Sequence, residues 1–133
     1  MSASRQRYLD ASAIVKLIVR EQESVALEAW LGDKQHEVVS CALVRTEVVR
    51  AAAPAGAPAI RRARRLLDRL DLIVIDDELL DLAGELTEPL RSLDAIHVAA
   101  ALELGVELDA FVTYDRQTTR AAEALGLPVV APA

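Results

Sequence analysis

Four acidic side chains, Asp10, Glu47, Asp94 and Asp115, sit in contexts that can bring them together. Asp10 directly follows the run Tyr8-Leu9, and Asp115 directly follows Val112-Thr113-Tyr114. Each also suits the cap of a following helix, a role Asp fills well. Asp94 lies in Leu93-Asp94-Ala95-Ile96-His97-Val98-Ala99-Ala100-Ala101-Leu102. A helix apolar nearly all round is buried, and a buried carboxylate needs a partner. Ser92 is the more natural N-cap there, which leaves Asp94 at most a role as a first-turn acid facing the helix dipole. Glu47 falls mid-helix; read alone it is a solvated residue with Arg50 as its surface partner. Its weight comes from the set. Two carboxylates about 5 Å apart repel by roughly 3 kcal/mol at an effective dielectric of 20, so a converging set requires a cation. Hard oxygen donors without cysteine or an obligatory histidine favour Mg2+ or Mn2+ over zinc. Such ions activate water and clamp the oxygens in phosphodiester hydrolysis.

The elements that must position these acids alternate. Strand-like runs span 7–9, 37–40, 72–75, 110–113 and 128–130; helical runs span 12–19, 24–31, 42–53, 60–70, 77–87, 93–104 and 116–125. Gly32, Gly105 and Gly126 follow three of the helices as stop signals. Interleaved strands and helices predict a mainly parallel five-stranded sheet covered on both faces. In such sheets the functional crevice lies beyond the C-terminal strand ends, where strand order reverses. Asp10 and Asp115 stand at two such ends.

The 133 residues predict a single domain, 1–133. They are 53% apolar with only four aromatics, so the core is expected to be Ala, Leu, Val and Ile. Cys41 is the only cysteine, and nothing resembles a secretory signal, so a reduced, cytoplasmic protein is expected. No apolar run approaches the roughly 20 residues needed to span a bilayer, and no membrane role is expected. A net charge of −6 argues against a nucleic-acid coat protein. It leaves open a nuclease whose divalent ions supply the positive charge.

The segments Leu9-Asp10-Ala11-Ser12-Ala13, Glu47 on the third helix, Arg91-Ser92-Leu93-Asp94-Ala95-Ile96-His97-Val98-Ala99, and Thr113-Tyr114-Asp115 resemble, in order and spacing, the PIN domains of VapC toxins. The resemblance covers essentially the whole chain, and the Asp94 segment is its most specific part. It implies a PIN-like α/β/α sandwich and a magnesium-dependent endoribonuclease acting on single-stranded or looped RNA. Asp10, Glu47, Asp94 and Asp115 carry over as metal ligands, with Ser12 and Thr113 as supporting hydroxyls. It further implies a VapB-type antitoxin, a homodimer, and operator DNA bound only through the antitoxin. The sequence departs from many relatives after Asp115, where Arg116-Gln117-Thr118-Thr119 holds no aromatic residue.

Among other residues, His97 reads as a core histidine satisfied by a hydrogen bond rather than a ligand, and His36 as an exposed loop residue. Arg61, Arg62, Arg64, Arg65 and Arg69 form one basic cluster. Its bland reading is a solvated helix face; its functional one is contact of Arg61 and Arg65 with RNA or an antitoxin. Tyr8 and Tyr114 flank the acids and can in principle stack bases. Trp30 is expected to close its helix onto the core or a dimer partner. Three other functions compete: a non-catalytic PIN-like binding module, a phosphoacceptor signalling domain using Asp76, and an aspartate-nucleophile phosphatase. The last lacks its usual second acid, because Ser12 stands two residues after Asp10. The signalling domain lacks paired acids after the first strand and a lysine after the fifth.

Overall fold

The computed structural model describes residues 5–32 and 36–133. Five strands form one sheet: β1 (Arg5–Leu9), β2 (His36–Cys41), β3 (Asp71–Ile73), β4 (Leu108–Val112) and β5 (Val129–Val130), in the order β3-β2-β1-β4-β5. Every pairing is parallel. Parallel neighbours need crossover connections, supplied by α1 (Ala11–Val15), α2 (Ser24–Leu31), α3 (Val44–Ala52), α4 (Ala57–Leu67), α5 (Asp77–Glu85), α6 (Ser92–Leu104) and α7 (Arg116–Ala124).

Successive strand residues face opposite sides of the sheet, and the core divides accordingly. Tyr8, Val39, Cys41 and Phe111 pack with α5, α6 and α7 through Leu79, Ala83, Val98, Ala99 and Ala122. Leu9, Ala110 and Val112 face the other way, onto Ile14, Leu27, Val44, Val48, Ala59 and Ala63 of α1 to α4. The result is the expected three-layer α/β/α sandwich. Tyr8 stacks on Phe111 with centroids 5.5 Å apart and is fully buried, so it is a packing residue and not a base platform. Trp30 is half-buried beneath the Arg7 guanidinium, 3.9 Å from its ring centroid.

Several boundaries differ from the sequence reading. The run 12–19 is a helix only from Ala11 to Val15; the chain continues to Val19 in hydrogen-bonded turns. The helix expected at 60–70 starts three residues earlier, because Gly56 at φ +98° redirects the chain and Pro58 sits in the first helical turn. Ser92 is not the N-cap: Arg91 holds that position, extended, and Ser92 is the first helical residue. His36 opens β2 rather than lying in a loop, with Nε2 3.0 Å from Asp109 Oδ2.

The strand order fixes the reversal point between β1 and β4. It also removes the phosphoacceptor reading. Asp76 follows an edge strand, far from that point, and its carboxylate accepts from the Leu79 N–H as the cap of α5. In doubly wound signalling domains the third strand is central.

Candidate active site

Asp10 leaves the end of β1 at the reversal point, and its N–H donates to the Val112 carbonyl of β4 at 3.1 Å. Its carboxylate caps α1, accepting from the Ala13 N–H at 3.1 Å and from the Ser12 hydroxyl at 2.6 Å. The capping and functional readings therefore describe one conformation. Ser12 Oγ also accepts from the Tyr114 N–H at 3.0 Å, tying the ends of the two central strands together. Asp10 is only 4% exposed. Burial raises its pKa above the usual carboxylate range, and hydrogen bonds from Ser12, Thr113 and Ala13, with the nearby His97 charge, draw it only part way back. A cation at this carboxylate would offset that cost.

Asp115 follows β4 and caps α7. Its Oδ2 accepts from both the N–H and the hydroxyl of Thr118, each at 2.8 Å. The Thr118 N–H, its hydroxyl and the Arg91 charge lower the Asp115 pKa against a smaller opposing effect of burial. Thr113, fully buried, accepts from the Asp115 N–H at 3.2 Å. Both hydroxyls expected beside the acids thus contact them. Across the groove, Asp94 projects from the first turn of α6. Arg91 Nε donates to Asp94 Oδ2 at 2.7 Å, and Arg91 Nη2 reaches Asp115 Oδ1 at 3.5 Å. Two acids far apart in sequence thus share one guanidinium edge.

Glu47 does not pair with Arg50 as it would on a solvated helix. Its Oε1 lies 2.7 Å from His97 Nε2, which links α3 on one face of the sheet to α6 on the other. His97 is 1% exposed, and its Nδ1 lies 2.7 Å from the Tyr8 hydroxyl. It is the satisfied core histidine that was expected. Burial works against its charge, but the bonds to Cys41 and Glu47 outweigh burial and hold its pKa up at about 10.

Glu47, Asp94 and Asp115 border two hollows, while Asp10 lies buried behind Ser12. One, of about 500 Å³, is lined by Ser12, Lys16, Glu47, Tyr114 and Asp115 among others. The second, of about 330 Å³, is lined by Glu47, Arg91, Ser92, Leu93 and Asp94. Glu47 is common to both. Among the described residues, no three acidic, histidine or cysteine side chains already converge as a ligand set. The donor chemistry nonetheless fits a hard divalent ion. The donors are carboxylate oxygens, the Asp10 carboxylate carries a burial cost that its hydrogen bonds only partly offset, and those of Asp94 and Asp115 already converge on one cation.

Three residues of this site were not singled out in the sequence. Arg91 carries no signal of its own beside Asp94, whereas the i+3 spacing of Thr118 after Asp115 is a legible capping pattern. Lys16, with Nζ 4.6 Å from the centre of the Tyr114 ring, gave no signal in one dimension. Tyr114 itself lies beside the groove, its hydroxyl donating to the Pro132 carbonyl. Arg61 and Arg65 are exposed on α4, opposite its buried face of Ala59, Ala63 and Leu67.

Residues 7–124 match the PIN domain family. The chain is 52% identical over 126 residues to Ribonuclease VapC46 of Mycobacterium tuberculosis, covering 94% of this chain and 96% of that protein. This chain belongs to the PIN-domain family, among the VapC toxins. The PIN domain is also 46% identical over 132 residues to Ribonuclease VapC35 of the same species, with the same coverage of each. Among solved structures, VapC20 of M. tuberculosis, described as a sarcin-ricin loop cleaving toxin, superposes with a TM-score of 0.76 at 18% identity, covering 95% of this chain and 99% of that one. A toxin-antitoxin complex from Klebsiella pneumoniae gives 0.69 at 23% identity, covering 96% and 98%. At those identities the superpositions speak for the fold of this PIN domain alone. Among its described residues, no helix is long and apolar enough to cross a membrane.

Proposed function

We propose that this chain is a magnesium-dependent endoribonuclease toxin, able to use Mn2+, that acts in the cytoplasm and is restrained by a VapB-type antitoxin. The observation that carries this reading is the placement of Asp10 and Asp115 at the β1/β4 reversal point. They are joined there through Ser12 and Tyr114, and Asp115 shares the Arg91 guanidinium with Asp94. The ribonuclease names of relatives at 46% and 52% identity support the same activity. The toxin-antitoxin complexes among the structural neighbours support the antitoxin. A homodimer, and operator DNA bound only through the antitoxin, belong to the same reading.

Asp10, Glu47, Asp94 and Asp115 would hold the ion, some of them through water. When bound, it supplies Lewis-acid polarisation of the phosphate and a water of lowered pKa. The chain's own residues prepare that chemistry. Ser12 and the Ala13 N–H fix the Asp10 carboxylate. Thr118 fixes Asp115 and keeps it ionised. His97 orients Glu47 across the strand ends. Positioning of this kind matters because small displacements of reacting groups are costly in rate.

The test incubates purified, antitoxin-free protein with labelled structured RNAs in Mg2+ or Mn2+, alongside a chelator and the Asp10→Asn and Asp94→Asn variants checked for folding. Metal-dependent cleavage lost in both variants is expected, by at least about a hundredfold. Cleavage that survives both substitutions points to a contaminating nuclease or a different site. A folded protein that cuts no RNA and takes up no Mn2+ is a binding-only PIN domain.

A further inference from the structure

We propose that Arg91 is a built-in, displaceable counter-ion of the acidic site, a positioning residue that occupies the acids until a divalent cation replaces it. The inference rests on the metal-site reading above and adds what that reading lacks, an account of how the acids are held before an ion arrives.

Arg91 sits just outside α6, with extended backbone at φ −68° and ψ 154°. From there its side chain turns back over the first turn. The Nε and Nη2 groups lie on one edge of the planar guanidinium, and that edge receives both Asp94 at 2.7 Å and Asp115 at 3.5 Å. A fork of donors suits two carboxylates at once. Asp94 lies in α6 and Asp115 caps α7, so the arginine also ties two helices together at the mouth of the hollow that Glu47, Ser92 and Leu93 help to line.

Exposure makes the bridge removable. The Arg91 side chain is 69% exposed, whereas Asp94 is 17% and Asp115 32%. The cation can therefore swing into water at little desolvation cost, while the acids remain. Lys16 is the contrasting case. It is 10% exposed and pinned by Glu21 at 3.6 Å and Glu23 at 3.0 Å, neither of which belongs to the acid set. Lys16 is fixed scaffolding; Arg91 is bound to the carboxylates that a metal needs. A guanidinium in place and a divalent ion on the same oxygens exclude one another by charge and by space. Ion binding must then break two exposed ion pairs, each weak on its own.

The experiment titrates Mn2+ into the full chain by calorimetry, comparing wild type with Arg91→Gln, Arg91→Lys and Asp94→Asn. Arg91→Gln is expected to bind about three- to tenfold more tightly than wild type, the gain from two exposed pairs that no longer have to be broken. Arg91→Lys, which keeps the charge but loses the two-donor edge, should fall between them. Independently, the Arg91 Nε–H resonance should move to that of a free guanidinium as Mg2+ saturates the wild type. Unchanged or weaker Mn2+ binding in Arg91→Gln, or an Nε–H signal indifferent to Mg2+, overturns the proposal. If those results accompany weakened binding in Asp94→Asn, the metal site stands and only the role of Arg91 falls. If Asp94→Asn binds like wild type, or no form binds Mn2+, both fall together.

Discussion

Ser12 shows how much one small side chain does here. Its hydroxyl donates to Asp10 and accepts from the Tyr114 N–H, so it closes the gap between the ends of β1 and β4. Replacing it with alanine leaves a half-buried N–H without its acceptor and a buried carboxylate without its shortest donor. Groups stranded in this way cost about 1–3 kcal/mol. Ser12→Ala is expected to lower the melting temperature by about 3–15 °C and to cut RNA cleavage by about tenfold through misplacement of Asp10. Ser12→Thr, which keeps the hydroxyl, should recover most of both. A Ser12→Ala protein that melts and cleaves like wild type would show that the bridge between the strands carries no weight. Of the acids, Asp10 and Asp115 were legible in one dimension because each ends a strand run. Glu47 was not: its partner His97 lies on another helix, and only the folded chain brings them to 2.7 Å.

At the scale of the element, α6 is the part whose sequence spoke most clearly. Val98, Ala99, Ala100 and Ala101 are all fully buried, so this helix is covered on nearly every side, as its uniform apolarity implied. Small side chains there let α6 lie close to the sheet. Ala100→Leu should therefore overpack the core and cost about 1–3 kcal/mol. Ala124→Leu, at the exposed end of α7, should stay within about 0.5 kcal/mol of wild type. Chemical denaturation of the two variants reads the difference, and equal midpoints would contradict the packing described for α6. The number and type of elements could be read from the alternation of apolar runs, because that alternation reflects burial on one or two faces. Their ends could not. The start of α4 is set by the positive φ of Gly56, and the cap of α6 is Arg91 in place of the chemically better Ser92. At α6 the backbone gives the extended capping conformation to Arg91, against local preference.

Over the whole molecule, charge is segregated. The net charge is −6, yet α4 exposes Arg61, Arg62, Arg64 and Arg65, with Arg61 and Arg65 on the side opposite its buried alanines. Arg62 is partly engaged, donating to the Ile18 carbonyl at 3.3 Å. Arg61 and Arg65 lie one helical turn apart on that exposed side. An acidic protein with an acidic cleft repels RNA over most of its surface, so productive encounter depends on whichever basic patch the backbone meets first. If α4 is that patch, the Arg61→Gln/Arg65→Gln double variant should raise KM for RNA with kcat unchanged. Its salt dependence should also flatten, by about 0.7 in the log–log slope for each single-strand phosphate the variant no longer neutralises. A split between KM and kcat separates this from damage at the acids, which would lower kcat. If KM and the salt slope stay at wild-type values while binding to the antitoxin weakens, the face belongs to the protein partner. If neither changes, it is only a solvated helix surface, and RNA must approach along the Lys16 and Tyr114 side of the groove.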